Sequence, residues 1–254
     1  MAYREDRRLE IGHHAEGRDD LAPRACVLVE RADPRLVALV THHPDPILGV
    51  APIELIERVA RASASDRHGL SALFAAIDDA LAGLMARITD PEEEFAVGWS
   101  FGAHAVAVER VGPRLYLAGA GNGRLYRLRS GRVSTVFGGQ TVFASLPRGS
   151  YDPAELADTV EKMVTFVLGG GRRPGQVAWH GPVELQVETG DRLLLTTYRT
   201  VQRLTSEDLQ DSLQIDDRGA AARAVVRRGR AKVESAADPQ LWWTWGEAVV
   251  LDVG

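Results

Sequence analysis

Leu115-Tyr116-Leu117-Ala118-Gly119-Ala120-Gly121-Asn122-Gly123-Arg124-Leu125-Tyr126-Arg127-Leu128-Arg129-Ser130-Gly131 is the stretch from which the rest of this chain is best read. Alternating apolar residues run into Gly121-Asn122-Gly123, alternation resumes, and Ser130-Gly131 closes the second run. Two strand patterns around a glycine–asparagine turn predict a β-hairpin. Arg124, Arg127, Arg129 and Arg132 would give it a basic edge facing water, which discourages pairing with another chain.

On either side the pattern continues. Ala25–Val29 and Leu36–Val40 are apolar runs joined by Ala32-Asp33-Pro34, a second hairpin of buried strands. Residues 96–110 are apolar on both parities, as in a strand covered on both faces, and His104 within them reads as a hydrogen-bonded core histidine. Val183, Leu185 and Val187 alternate before the turn Thr189-Gly190-Asp191-Arg192, and Leu193-Leu194-Leu195 follows. Residues 52–64, with Pro52 in the first turn and Ile53, Ile56, Val59 and Ala60 inward, predict an amphipathic helix. His68–Ile88 predicts another, with Leu70, Leu73, Phe74, Ile77, Leu81 and Leu84 on one face and Asp78-Asp79 on a solvated face. Asp152-Pro153-Ala154-Glu155 opens a helix that ends at Gly169-Gly170-Gly171, Thr205-Ser206-Glu207-Asp208 starts a short one, and 217–234 forms the last. His13-His14 and Asp19-Asp20 sit in a polar stretch that reads as a solvated loop. Adjacent residues of a strand would in any case face opposite ways.

Bulk properties narrow the function. With 254 residues, 45% of them hydrophobic, and no linker, repeat or low-complexity run, one domain spanning 1–254 is expected, residues 1–10 being a loose lead-in. Thirty basic against 35 acidic residues, a net charge of −5, give no general attraction to nucleic acid or to anionic membranes. The single cysteine, Cys26, has no disulfide partner. The charged opening MAYREDRRLE has no apolar core behind it, and no apolar run approaches the ~20 residues that span a bilayer, so a soluble cytoplasmic protein is expected.

The stretch quoted first resembles the "VGDSRAYLLRDG" segment of the metal-dependent serine/threonine phosphatases of the PPM, or type 2C, family. Gly121, Arg124 and Tyr126 keep the family's residues, and Asn122-Gly123 stand where Asp-Ser is usual. Gly190-Asp191-Arg192-Leu193-Leu194-Leu195 is similar to the family's "GDRLLL". The resemblance implies an α+β fold of four layers, two antiparallel sheets face to face with helix pairs outside, and two Mg²⁺ or Mn²⁺ ions that activate water and clamp phosphate. It also implies where the ligands would lie. In the opening motif Asp20 matches, Asp19 replaces Glu, Arg18 replaces Asn, and Ala15 replaces the arginine that grips substrate phosphate. Thr41 and His42 occupy the Asp-Gly that bridges and completes the metal pair, Tyr198 the next aspartate, with Arg199 for its glycine, and Trp245 the last. Hard divalent cations favour carboxylate oxygens, which a threonine hydroxyl, a phenol and an indole do not supply.

The reading expected is therefore an inactive phosphatase-like protein with no metal cofactor, binding a protein partner, a phosphoprotein, kinase or assembly component. Arg18, Arg199 and Arg124 would offer anion contacts, and Trp242 and Trp243 a recognition patch if they do not simply pack. Two alternatives stand beside it: an active phosphatase with a site rebuilt from His42, His43, Asp45, Asp19 and Asp20, and a structural subunit of a larger complex.

Overall fold

Strand alternation of this kind needs a partner on each apolar face, and two antiparallel sheets of five strands provide it. In the computed structural model the described residues are 10–17, 26–30, 36–42, 51–65, 69–87, 102–139, 167–169, 179–235 and 245–254. The first sheet has the order β1 (Glu10–Gly17), β10 (Trp245–Asp252), β9 (Arg192–Thr197), β6 (Gly123–Arg129), β7 (Arg132–Phe137). The second has the order β2 (Cys26–Glu30), β3 (Leu36–His42), β4 (Ala103–Val111), β5 (Arg114–Ala120), β8 (His180–Leu185).

Residue parity decides what each face covers. Val37, Leu39, Val106, Val108, Leu117, Leu125, Leu193, Leu195, Val249 and Leu251 meet between the sheets. The opposite parity of the second sheet, Leu36, Ala38, Val40, Ala105, Ala107 and Ala118, packs on Ile56 of α1 (Ala51–Ser65) and on Leu73, Phe74 and Ile77 of α2 (Leu70–Met85). Leu194, Ala248 and Val250 of the first sheet pack on Leu209 and Leu213 of α4 (Ser206–Leu213) and on Ala222, Val225 and Val226 of α5 (Arg218–Ser235). The result is the expected helix–sheet–sheet–helix order. Each fully buried Leu or Val side chain contributes roughly 1.5–3 kcal/mol, so these three apolar layers dominate the stability. Thr205 caps α4 as expected: its hydroxyl accepts from Asp208 N–H at 3.1 Å while the Asp208 carboxylate accepts from Thr205 N–H at 2.9 Å. No helix among the described residues is long and apolar enough to cross a membrane.

Three expectations need correcting. The strands on either side of Gly121-Asn122-Gly123 are not a hairpin: β5 belongs to the second sheet and β6 to the first. The turn carries the chain across the sandwich, and β6 pairs with β9, Gly123 opposite Thr197. Close packing explains the glycines. A Cβ on Gly121, whose φ is +60°, would lie 2.2 Å from His104 Nδ1, and one on Gly123 would lie 2.2 Å from the Ala105 carbonyl oxygen. The true hairpin joins β6 to β7 through Ser130 and Gly131, at φ +49° and +72°, the successive left-handed residues that match strand twist.

Second, Asp78 does not share the solvated face with Asp79. It is fully buried in α2, and its Oδ1 accepts a 2.7 Å hydrogen bond from Gly169 N–H. Third, Ile11–Gly17 is part of an edge strand, not a loop. The opening helix at Asp152, the loop 172–178 and residues 96–101 lie outside the described residues.

Candidate functional site

At one end of the sandwich β3 stops, β4 starts, the chain crosses at Gly121-Asn122, β9 stops and β10 starts. Thr41 is opposite His104, Gly123 opposite Thr197, and Gly17 opposite Trp245. Four of the positions singled out by resemblance, Thr41, His42, Tyr198 and Trp245, are thus collected at the same end. Arg18, Asp19, Asp20, His43, Asp45, Trp242 and Trp243 lie outside the described residues.

Parity separates Thr41 from His42. Both are 2% exposed, but Thr41 continues the inter-sheet row of Val37 and Leu39, whereas His42 continues the row of Leu36, Ala38 and Val40 toward α1 and α2. His104 shares the inter-sheet row with Val106 and Val108, and its Nδ1 accepts from Asn122 N–H at 3.1 Å, the core histidine expected. Asn122 also reaches the other sheet: its carbonyl accepts from Tyr198 N–H at 2.9 Å. Tyr198 opens the one-turn helix α3 (Tyr198–Val201).

Arg124 departs from the water-facing edge predicted for it. It is 6% exposed, its guanidinium carbon lies 5.2 Å from the Tyr198 ring centroid, and Nη1 donates to the Gly123 carbonyl at 3.3 Å. Parity puts Arg124 with Tyr126 and Leu128 on the helix-facing side of β6, and the tyrosine face supplies an electrostatic partner there. Arg127 and Arg129 clamp the β8–β9 connection, donating to the Gln186 carbonyl at 2.8 and 3.2 Å, and Arg129 also binds Asp191 and Glu188. Arg132 stays exposed, as expected.

Sequence reasoning missed Glu247. It lies on β10 opposite Ala15, on the inter-sheet parity of Val249 and Leu251, and is 1% exposed. Counting back by twos from Leu251 would have found it: a carboxylate in a row otherwise apolar. Its backbone is pinned by Thr200, whose Oγ1 accepts from Glu247 N–H at 3.0 Å and donates to its carbonyl at 3.2 Å; Thr196 donates to the same carbonyl at 2.6 Å. Thr197 Oγ1 donates to Oε1 at 2.5 Å, and Oε2 is buried with no hydrogen-bond partner among the described residues. Burial pushes the carboxyl pKa up to about 7, against the opposing pull of the Thr197 hydroxyl and the Arg199 charge. Arg199 is itself held below the usual guanidinium range by burial, which the Glu247 charge partly offsets.

Among the described residues, the donors at this end do not by themselves fit a pair of divalent ions. Thr41, Thr196, Thr197 and Thr200 offer neutral hydroxyls, Tyr198 a phenol ordinarily protonated below a pKa of ~10, and Glu247 one carboxyl on which the Arg199 charge acts. Among the described residues no three His, Cys, Asp or Glu side chains are grouped as a metal ion would need. What the arrangement offers is positive charge and hydroxyl donors beside a buried acid.

The sequence matches no model of a known protein family and no curated protein. The fold does match solved structures. The PPM Ser-Thr phosphatase MsPP from Mycobacterium smegmatis, in complex with cacodylate, is similar at a TM-score of 0.71 and 19% identity, covering 96% of this chain and 98% of that one. PppA, described as a key regulatory component of T6SS in Pseudomonas aeruginosa, is similar at 0.68 and 20%, covering 96% and 97%. The serine/threonine phosphatase Stp1 from Staphylococcus aureus is similar at 0.70 and 12%, over 100% of both chains. The chain has the fold of the PPM-type, protein phosphatase 2C-like enzymes.

Proposed function

We propose that this chain is a phosphatase-fold protein that has given up metal-dependent hydrolysis and acts by binding, its partner a phosphorylated protein recognised at the end of the sandwich where Arg199 lies. The observation that carries the reading is the donor set: where the fold would hold two cations, Thr41 and Tyr198 bring no negative charge, and Arg199 and Arg124 add positive charge. Two like charges in a partly buried site oppose a divalent ion and favour an anion. No cofactor is required. A role as regulator is consonant with the description of PppA as a regulatory component in its own system. The net charge of −5 gives no general attraction to nucleic acid or to anionic membranes, which supports a protein partner.

Charge-assisted hydrogen bonds from guanidinium to phosphate are worth about 1.5–3 kcal/mol. A phosphothreonine peptide is therefore expected to bind Arg199→Ala at least ~10-fold more weakly than the wild type, a loss of about 1.4 kcal/mol, measured by calorimetric titration. Equal affinities for the two proteins would remove Arg199 from the site and the reading with it.

A further inference from the structure

We infer that Glu247 is a buried, proton-operated counter-charge to Arg199, so that an anion is held at Arg199 when Glu247 is protonated and let go when Glu247 is ionised. This rests on the anion-binding reading above and adds its regulation.

The geometry leaves Glu247 few ways to accommodate a charge. Its backbone N–H and carbonyl are both tied to Thr200, and the side chain these bonds place between the sheets is 1% exposed. Oε1 already accepts from Thr197 at 2.5 Å, and Oε2 is buried with no hydrogen-bond partner among the described residues. A neutral carboxyl tolerates that setting; an ionised one needs a positive partner for the second oxygen.

The surrounding elements narrow the partner. On β1, Ala15 lies opposite Glu247; His13, two positions further along the same parity, is held below the usual histidine range by burial and by the neighbouring His14. His14 and Glu16 have the other parity, and Glu16 is bound by Arg230 at 2.6 Å. Across the sandwich Thr41 carries no charge, and His104 Nδ1 is engaged by Asn122. On β6, Arg124 is stacked on Tyr198, and on α5 Arg218 pairs with Asp252 at 2.9 Å. Arg199 lies between Thr197 and Thr200, which hydrogen-bond the side chain and the backbone of Glu247 respectively, and each charge draws the other toward its ionised form. Ionising Glu247 therefore gives Arg199 an internal anion, with which an external one must compete. Burial has moved the acid's titration close to neutral pH, the range in which such a device would operate.

Sulfate tests this, because unlike phosphate it stays a dianion across the range. Its affinity would be measured at about pH 5.5 and about pH 8.5 for the wild type, Glu247→Gln, Arg199→Met and the double variant, with urea unfolding of the same four proteins. An interaction worth one pKa unit is about a tenfold change in affinity. The wild type is expected to bind sulfate about tenfold more tightly at the lower pH, Glu247→Gln equally at both, and Arg199→Met weakly at both. The unfolding cycle is expected to show Glu247–Arg199 coupling at the higher pH only. Sulfate binding that is independent of pH in the wild type, or that keeps its pH dependence in Glu247→Gln, overturns the switch and leaves the anion-binding reading standing. Failure of sulfate to bind any of the four at either pH overturns that reading and the switch together.

Discussion

Replacing Asp191 by alanine is expected to destabilise the protein by about 1.5–3 kcal/mol, the loss of hydrogen bonds to a charged group that is itself buried. Asp191 is 2% exposed and closes the turn before β9. Its carboxylate accepts from Arg129 Nε at 2.7 Å and Nη2 at 2.6 Å and from Glu188 N–H at 2.9 Å, while its carbonyl accepts from Val253 N–H at 2.8 Å. The side chain thus joins the hairpin strand β6 to the β8–β9 connection, and the backbone carbonyl holds the end of the chain. Burial by itself would raise the carboxyl pKa, but the Arg129 hydrogen bonds and the Glu188 amide outweigh it and hold the group below the usual range. A carboxylate depressed in the folded state stabilises above its unfolded pKa, and that contribution disappears as pH falls through the folded value. Arg129→Ala is expected to destabilise as well, since it leaves the Asp191 carboxylate without its guanidinium partner, and the double variant to recover part of the loss. Urea unfolding at neutral pH measures all three; a cost below about 1 kcal/mol for Asp191→Ala would mean that the ion pair is not a structural clamp.

The second large effect runs in the opposite direction with pH. Glu247 holds its proton to about pH 7 in the folded chain, against an ordinary value of 4.5. Between those two values the unfolded chain has lost this proton and the folded chain has not, so stability falls as pH rises through the window. Below 4.5 both states are protonated and no penalty exists. A gap of roughly two and a half units amounts to about 3 kcal/mol once pH exceeds both values. Glu247→Gln keeps the acceptor for Thr197 and cannot ionise. Its stability relative to the wild type should therefore climb between pH 4.5 and 8 by about that amount. Unfolding midpoints across the range give the comparison, and parallel curves would show that Glu247 titrates like an exposed acid.

Particular residues show how far the sequence could be read. The apolar runs of β3, β9 and β10 and the apolar stripes of α1, α2 and α5 were legible because each reports only what one element buries, and together they agree with the four layers that the resemblance implies. Gly121-Asn122-Gly123 announced a turn but not the sheet that receives the next strand. That choice is made by Thr197 and Tyr198, far along the chain, which pair with Gly123 and Asn122. Asp78 was misread for a similar reason. Its partner, Gly169 N–H, is 91 residues away and leaves no local pattern. Arg124 and Arg199 were visible as charges, yet their surroundings depend on the Tyr198 ring and on Glu247, which only the folded arrangement brings near. Thr41 and Tyr198 lie at the same end of the sandwich because β3 and β9 both stop there, and the extent of each strand was already marked by its own apolar run.

The proposed loss of the divalent-ion site is tested most directly by metal content. The purified chain would be saturated with Mn²⁺, passed into metal-free buffer by gel filtration, and its manganese measured against protein concentration. A site made of hydroxyls, a phenol, one hydrogen-bonded carboxyl and two guanidinium groups is expected to retain only substoichiometric metal. Two manganese ions retained per chain, the complement of a two-metal hydrolase, would contradict the binding role.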